Sequence, residues 1–161
     1  MIWLDPAEHD RIAEEACRRR LVETGGPLFG YSVEDAVVIT RAFGPGPGAR
    51  HRPRSFSASP DWIERCIEEM FNESGGAISY VGEWHSHPLS HASPSGKDIA
   101  AVAEIAAQAE VDLPRPTILI QSTKIFHRHV HLGDLGAYRW DAGELAQQQL
   151  IIDPSTAVAS N

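Results

Sequence analysis

Apolar residues recur at helical spacing through Ile12, Ala13 and Ala16, behind Asp5, Pro6 and Glu8, which fit an N-cap, a first-turn proline and an N3 acid. The pattern predicts a helix from about Pro6 to about Val22, closed by Gly25 and Gly26. Leu28, Phe29 and Tyr31 then open an extended segment that turns near Glu34 and Asp35 into Val37, Val38 and Ile39, the outline of a hairpin. From Gly44 to Arg54 the run GPGPGARHRPR interrupts every period, and a loop is expected there. Ser59-Pro60-Asp61 opens a second helix, with Trp62, Ile63, Cys66, Ile67, Met70 and Phe71 on one stripe and Gly75 and Gly76 as its stop.

Ala77 to His87 reads as a strand, followed by a third helix from about Ser95 to Glu110 that buries Ile99, Val102, Ala103 and Ala106. Thr117 to Gln121, Ile125 to Leu132 and Ala137 to Trp140 read as further strands, and Glu144 to Leu150 as a short polar helix. Mixed strands with three helices predict an α/β (α+β) sandwich, a mixed β-sheet flanked by helices. No internal repeat or low-complexity block is present. One domain is expected over residues 1–150, with a fraying tail over 151–161.

Composition narrows the function more than the fold. The 161 residues include 42% hydrophobic and 22% charged, values of an ordinary globular chain long enough to bury a core without disulfides. A net charge of -8, from 14 Lys plus Arg against 22 Asp plus Glu, argues against a phosphate-gripping nucleic-acid binder. Cys17 and Cys66 form no CxxC pair and read as small core hydrophobes. MIWLDPAEHDR lacks a basic start followed by an apolar stretch, and no run is long enough to span a membrane, so the expected location is the cytoplasm.

The chemistry concentrates in EWHSHPLSHASPSGKD, Glu83 to Asp98. On a strand, His85 and His87 point to the same face and converge on one ion, whereas on a helix the same spacing splays them roughly 200° apart. Pro88 cannot donate to a ladder, so it ends the strand and leaves His87 at a rim open to substrate. Asp98, in the first turn of the next helix, supplies a carboxylate as third ligand. Three ligands leave a zinc site one open position for water, the arrangement of a hydrolytic centre rather than a structural one.

His-Ser-His-Pro, six residues, then Ser95, two residues and Asp98 resembles the JAMM signature, also called MPN or JAB, in spacing and residue type. The family carries an upstream glutamate after its first helix, and Glu23 in ETGGPLFG stands in that context. The resemblance extends from roughly Asp5 to Trp140. It implies an MPN/JAB (cytidine deaminase-like) sandwich and one Zn2+ per chain on His85, His87 and Asp98. It also implies Glu23 as the acid–base for the attacking water and Ser95 as a donor to the oxyanion. The implied reaction is hydrolysis of a peptide or isopeptide bond at the C-terminus of a ubiquitin-like modifier. Such a modifier or its conjugates, with E1-like and E2-like proteins, are the implied partners.

Simpler readings stand beside these. Glu23 by itself is an exposed acid at a helix end, and Ser95 with Asp98 is also a capping box. His127, His129 and His131 alternate ahead of Asp134 as a competing metal cluster. With Phe126, Val130 and Leu132 as the core face, they read instead as the solvent side of a strand. His91 reads as a solvated loop residue. Arg50, His51, Arg52 and Arg54 form a basic loop that either steers an acidic partner or is merely solvated. Two other functions remain open: processing of a sulfur carrier or small substrate at the same centre, and a catalytically silent MPN scaffold.

Overall fold

The structure is a computed structural model that describes residues 1–109 and 112–153. Its elements in chain order are β1 (Ile2–Leu4), α1 (Pro6–Arg18), β2 (Gly25–Val33), β3 (Ala36–Ala42), β4 (Arg50–Arg52), β5 (Ser55–Ser57) and α2 (Pro60–Ser74), then β6 (Ser79–Pro88), α3 (Gly96–Ala107), β7 (Thr117–Phe126), β8 (His129–Asp141), β9 (Glu144–Gln147) and β10 (Leu150–Ile152). Eight strands form one mixed sheet in the order β10-β1-β3-β2-β6-β7-β8-β9, and β4 pairs with β5 in a separate ribbon. The ladders β1–β10, β1–β3 and β6–β7 are parallel and the rest antiparallel. This is the mixed α+β sheet flanked by helices that the pattern predicts.

Strand alternation divides the core between the two faces. Leu28, Trp84 and Leu119 pack with Ile12 of α1 on one face. On the other, Ile118 and Ile120 pack with Val102 of α3, and Phe29 packs with Cys66 and Met70 of α2. α1 therefore covers one side, and α2 and α3 the other.

A bulge decides which face β6 offers. Leu28 of β2 pairs with Gly82 and Phe29 with Tyr80, so Val81 is skipped. Gly82 has φ 142°, and a Cβ on it would lie 1.8 Å from the Thr117 carbonyl oxygen, so only glycine fits. The extra residue shifts the alternation by one. Val81 and Trp84 thereby both face α1, and Glu83, His85 and His87 turn toward α3.

Several expectations need correction. α1 stops at Arg18 rather than Val22, and α3 ends at Ala107; position 110 lies outside the described residues. The loop expected over Gly44 to Arg54 contains β4, which is paired by β5; a three-residue ladder leaves no periodicity to read. Ile125 to Leu132 is not one strand but the end of a hairpin, turning at His127 and Arg128 with φ 48° and 67°. Their positive φ values give a turn that the side chains do not advertise. Phe126 and Leu132, expected in the core, are 66% and 44% exposed because this tip extends past the helices. Ile67, Phe71 and Ile99 are also exposed. The polar helix expected over Glu144 to Leu150 is instead β9 and β10, held by pairing with β8 and β1. Residues 151 and 152 belong to β10; the rest of the expected tail from 154 on lies outside the described residues. Cys66 is fully buried, whereas Cys17 is only half-buried.

Candidate metal centre

His85 and His87 lie near the C-terminal end of β6, and the N-terminus of α3 brings Asp98 over them. Ser95 caps that helix. Its Oγ accepts from the Asp98 amide at 3.4 Å, and its own amide donates to Asp98 Oδ2 at 2.6 Å. The capping box is therefore real, and it orients the carboxylate toward the histidines. The two Nε2 atoms lie 2.9 Å apart, and they are 3.2 Å (His85) and 3.4 Å (His87) from the Asp98 oxygens. A tetrahedral zinc site with bonds of about 2.0–2.1 Å has donor–donor edges of roughly 3.3 Å. Two imidazoles and a carboxylate converging at that spacing fit a divalent cation.

The surroundings hold this set in place. His87 Nδ1 donates to the His91 carbonyl at 3.0 Å, which orients the ring and leaves Nε2 to face the centre. His91, expected to be a bystander, thus contributes through its backbone. Burial pushes the Asp98 carboxyl up, but hydrogen bonds from His85 and His87 outweigh it and hold Asp98 well below the usual carboxylate range. For His87, burial pushes the ring down while Asp98 and the His91 carbonyl raise it further.

Glu23 is positioned by its backbone and its neighbours. Its amide donates to the Arg52 carbonyl at 2.8 Å, and its carbonyl accepts from His51 Nδ1 at 2.9 Å. The basic segment thus clamps Glu23. Next to it, buried Thr24 exchanges hydrogen bonds with Ser86 of β6 and donates Oγ1 to Glu15 of α1 at 2.9 Å. Gly25 pairs with His85, and a Cβ there would lie 2.2 Å from the Trp84 carbonyl oxygen. The half-buried Glu23 lines one pocket with His85 and Asp98 and a second with His87 and Ser95. Burial pushes its carboxyl up, opposed by His85 and His87.

The sequence held no sign of these roles for Glu15, Thr24, Ser86 or His51, although Ser86 lies within the signature and His51 within the basic loop, because each acts through a contact made only in the fold. The competing histidines do not assemble: His127 sits in a turn, apart from the β8 residues His129 and His131. Among the described residues, only His85, His87 and Asp98 bring three ligand atoms within 4.8 Å of one another.

Residues 6–135 match the family model described as prokaryotic homologs of the JAB domain. The chain belongs to this JAB family. It is 30% identical to the probable metalloprotease y4qB of Sinorhizobium fredii, over 74% of this chain and 74% of that one. It is also 32% identical to a CD-NTase/cGAS isopeptidase of Escherichia coli, over 48% of this chain, and there it spans only 49% of that relative's length. The solution structure of protein DSY2949 from Desulfitobacterium hafniense shares the fold, with TM-score 0.67 at 18% identity over 95% of this chain and 93% of that one. The JAB domain described here is thus a metallopeptidase-type hydrolase, and its family implies a metal that the His85, His87 and Asp98 donor set fits. No described helix is long and apolar enough to cross a membrane.

Proposed function

We propose that this JAB domain uses zinc to hydrolyse peptide or isopeptide bonds at the C-terminus of a ubiquitin-like modifier, for deconjugation or precursor processing. His85, His87 and Asp98 would hold one zinc ion per chain. When bound, zinc supplies Lewis acidity, acidifying water and polarising a carbonyl. Glu23 takes a proton from the attacking water and passes it to the departing amine as the C–N bond breaks. Ser95 Oγ accepts from the Asp98 amide, so its own hydroxyl hydrogen is free to donate to the developing oxyanion.

The observation that carries this reading is the convergence of three ligand atoms beside Glu23, where two pockets of about 230 Å³ and 830 Å³ meet. A centre between two openings suits an extended chain laid across it more than a small molecule enclosed on all sides. The complete donor set argues against a silent scaffold. The isopeptidase names of several relatives support conjugates as substrates, and E1-like and E2-like proteins are proposed as working partners. Two free cysteines are compatible with the reducing cytoplasm.

The test is to incubate the protein with a modifier–lysine conjugate and with a linear modifier fusion. Mass spectrometry reads the cut, and a chelator-treated sample serves as control. Cleavage directly after the modifier tail in both is expected. Turnover of a free dipeptide or small thioester with neither protein substrate cut would replace this reading with small-substrate processing.

A further inference from the structure

β6 carries a third polar side chain on the face of His85 and His87. Glu83 stands two residues before His85, about 7 Å along the strand, and it pairs with Ile118 of β7. It lines the pocket of about 230 Å³ that also touches Glu23, His85 and Asp98. Tyr80 Oη donates to its Oε1 at 3.3 Å. Among the described residues, no cation stands within ion-pair distance of it.

Much of the wall around this carboxylate is apolar, formed by Phe56, Ala101, Val102, Ile105 and Ile118, with Ser55 and Thr117 as the hydroxyl residues of the lining. Phe56 is fixed by its contact with His51, ring centroids 5.4 Å apart, and by Gly25, where a Cβ would press to 2.9 Å from its ring. One tyrosine hydroxyl occupies one of about four acceptor positions on a carboxylate. Neither Ser55 nor Thr117 hydrogen-bonds to it, and the apolar residues of the wall carry no donor for the remaining positions. A side chain with an aliphatic stem and a cationic head meets both demands, laying its stem on Phe56, Val102 and Ile105 and its head on Glu83. Arg54 and Lys97 also reach this pocket, but both are solvent-exposed, so their repulsion is screened more than the attraction of a carboxylate set among apolar walls.

We propose that this pocket is a specificity subsite for a lysine or arginine side chain of the substrate, within two residues of the cleaved bond on its acyl side, selected by Glu83. The proposal rests on the reading of His85, His87 and Asp98 as the reacting centre. In an isopeptide the amine side presents only the unbranched lysine stem. A side chain about 7 Å from the reacting carbonyl therefore belongs to the acyl side.

The test measures binding of fluorescein-labelled tail peptides with free C-terminal carboxylates to the zinc-loaded protein, by fluorescence anisotropy. One peptide carries arginine at its last two positions and its match carries norleucine. Wild type is expected to bind the arginine peptide at least tenfold more tightly. Glu83→Gln keeps an acceptor for Tyr80 and should bind both peptides alike, with unchanged norleucine affinity, zinc content and circular dichroism. Equal binding by wild type, or an arginine preference that survives Glu83→Gln and so reflects only the overall charge, overturns the proposal. Because the readout is binding, the two readings fail separately. The expected preference in a protein that cuts no conjugate sinks the hydrolytic reading and supports this subsite, whereas conjugate cleavage without the preference does the reverse.

Discussion

Replacing Glu15 with alanine removes the link between α1 and the segment that presents Glu23. Glu15 is 9% exposed, and its carboxylate accepts from Thr24 Oγ1, Arg18 and Arg19. Thr24 has no solvent exposure, so its hydroxyl loses its partner without gaining water. A stranded buried donor costs about 1–3 kcal/mol. The arginine side chains are 69% and 38% exposed, and such screened pairs add only about 0.2–1 kcal/mol each. The expected loss is therefore about 1.4–5 kcal/mol, read as a lower urea midpoint, with a Tm fall of roughly 2–4 °C per kcal/mol for a chain of this size. Thr24→Val and the double variant complete the cycle. The double variant strands no hydroxyl, so it should be less destabilised than the sum of the single variants by about 1 kcal/mol or more. Additivity within about 0.3 kcal/mol would refute the coupling.

The same network sets a pH dependence. Burial pushes the Glu15 carboxyl up, but hydrogen bonds from Arg18, Thr24 and Arg19 outweigh it, so its folded pKa lies below the unfolded one. Its stabilisation is therefore complete above the unfolded value and is lost as pH falls through the folded value. The stability gap between wild type and Glu15→Ala should narrow as pH drops below roughly 4, and a gap that widens there would contradict the assignment.

His87→Ala should remove most bound zinc by elemental analysis, while His129→Ala keeps it; the opposite pattern moves the metal to the hairpin. Glu23→Gln should retain zinc and fold but lose roughly a hundredfold or more in turnover of a modifier conjugate, and wild-type rates would leave Glu23 a bystander. Gly82→Ala forces a methyl to 1.8 Å from the Thr117 carbonyl oxygen at φ 142°. A loss on the order of 3 kcal/mol or more is expected, and an unchanged urea midpoint would mean that the bulge is not required.

Local chemistry was legible in the chain itself. Helix starts at Asp5, Ser59 and Ser95 follow from capping residues, and α2 stops where Gly75 supplies a left-handed φ of 62°. The pairing of His85 with His87 on one face follows from the period of a strand, and Asp98 from the spacing of the motif. What needed the tertiary structure was everything set by partners distant in sequence. β1, β9 and β10 are three or four residues long, too short to show a period, and exist because neighbouring strands accept their hydrogen bonds. The hairpin turn at His127 and Arg128 lacks the glycine or asparagine that usually announces positive φ. Strand alternation says that the two histidines share a face but not which face, and the bulge at Gly82 makes that choice through a contact with Thr117 in β7. Glu23 reaches the centre because Thr24, held between Glu15 and Ser86, and the β4 backbone at Arg52 fix its place. Periodicity and capping are properties of neighbours along the chain, whereas these clamps join residues that meet only when the sheet has closed.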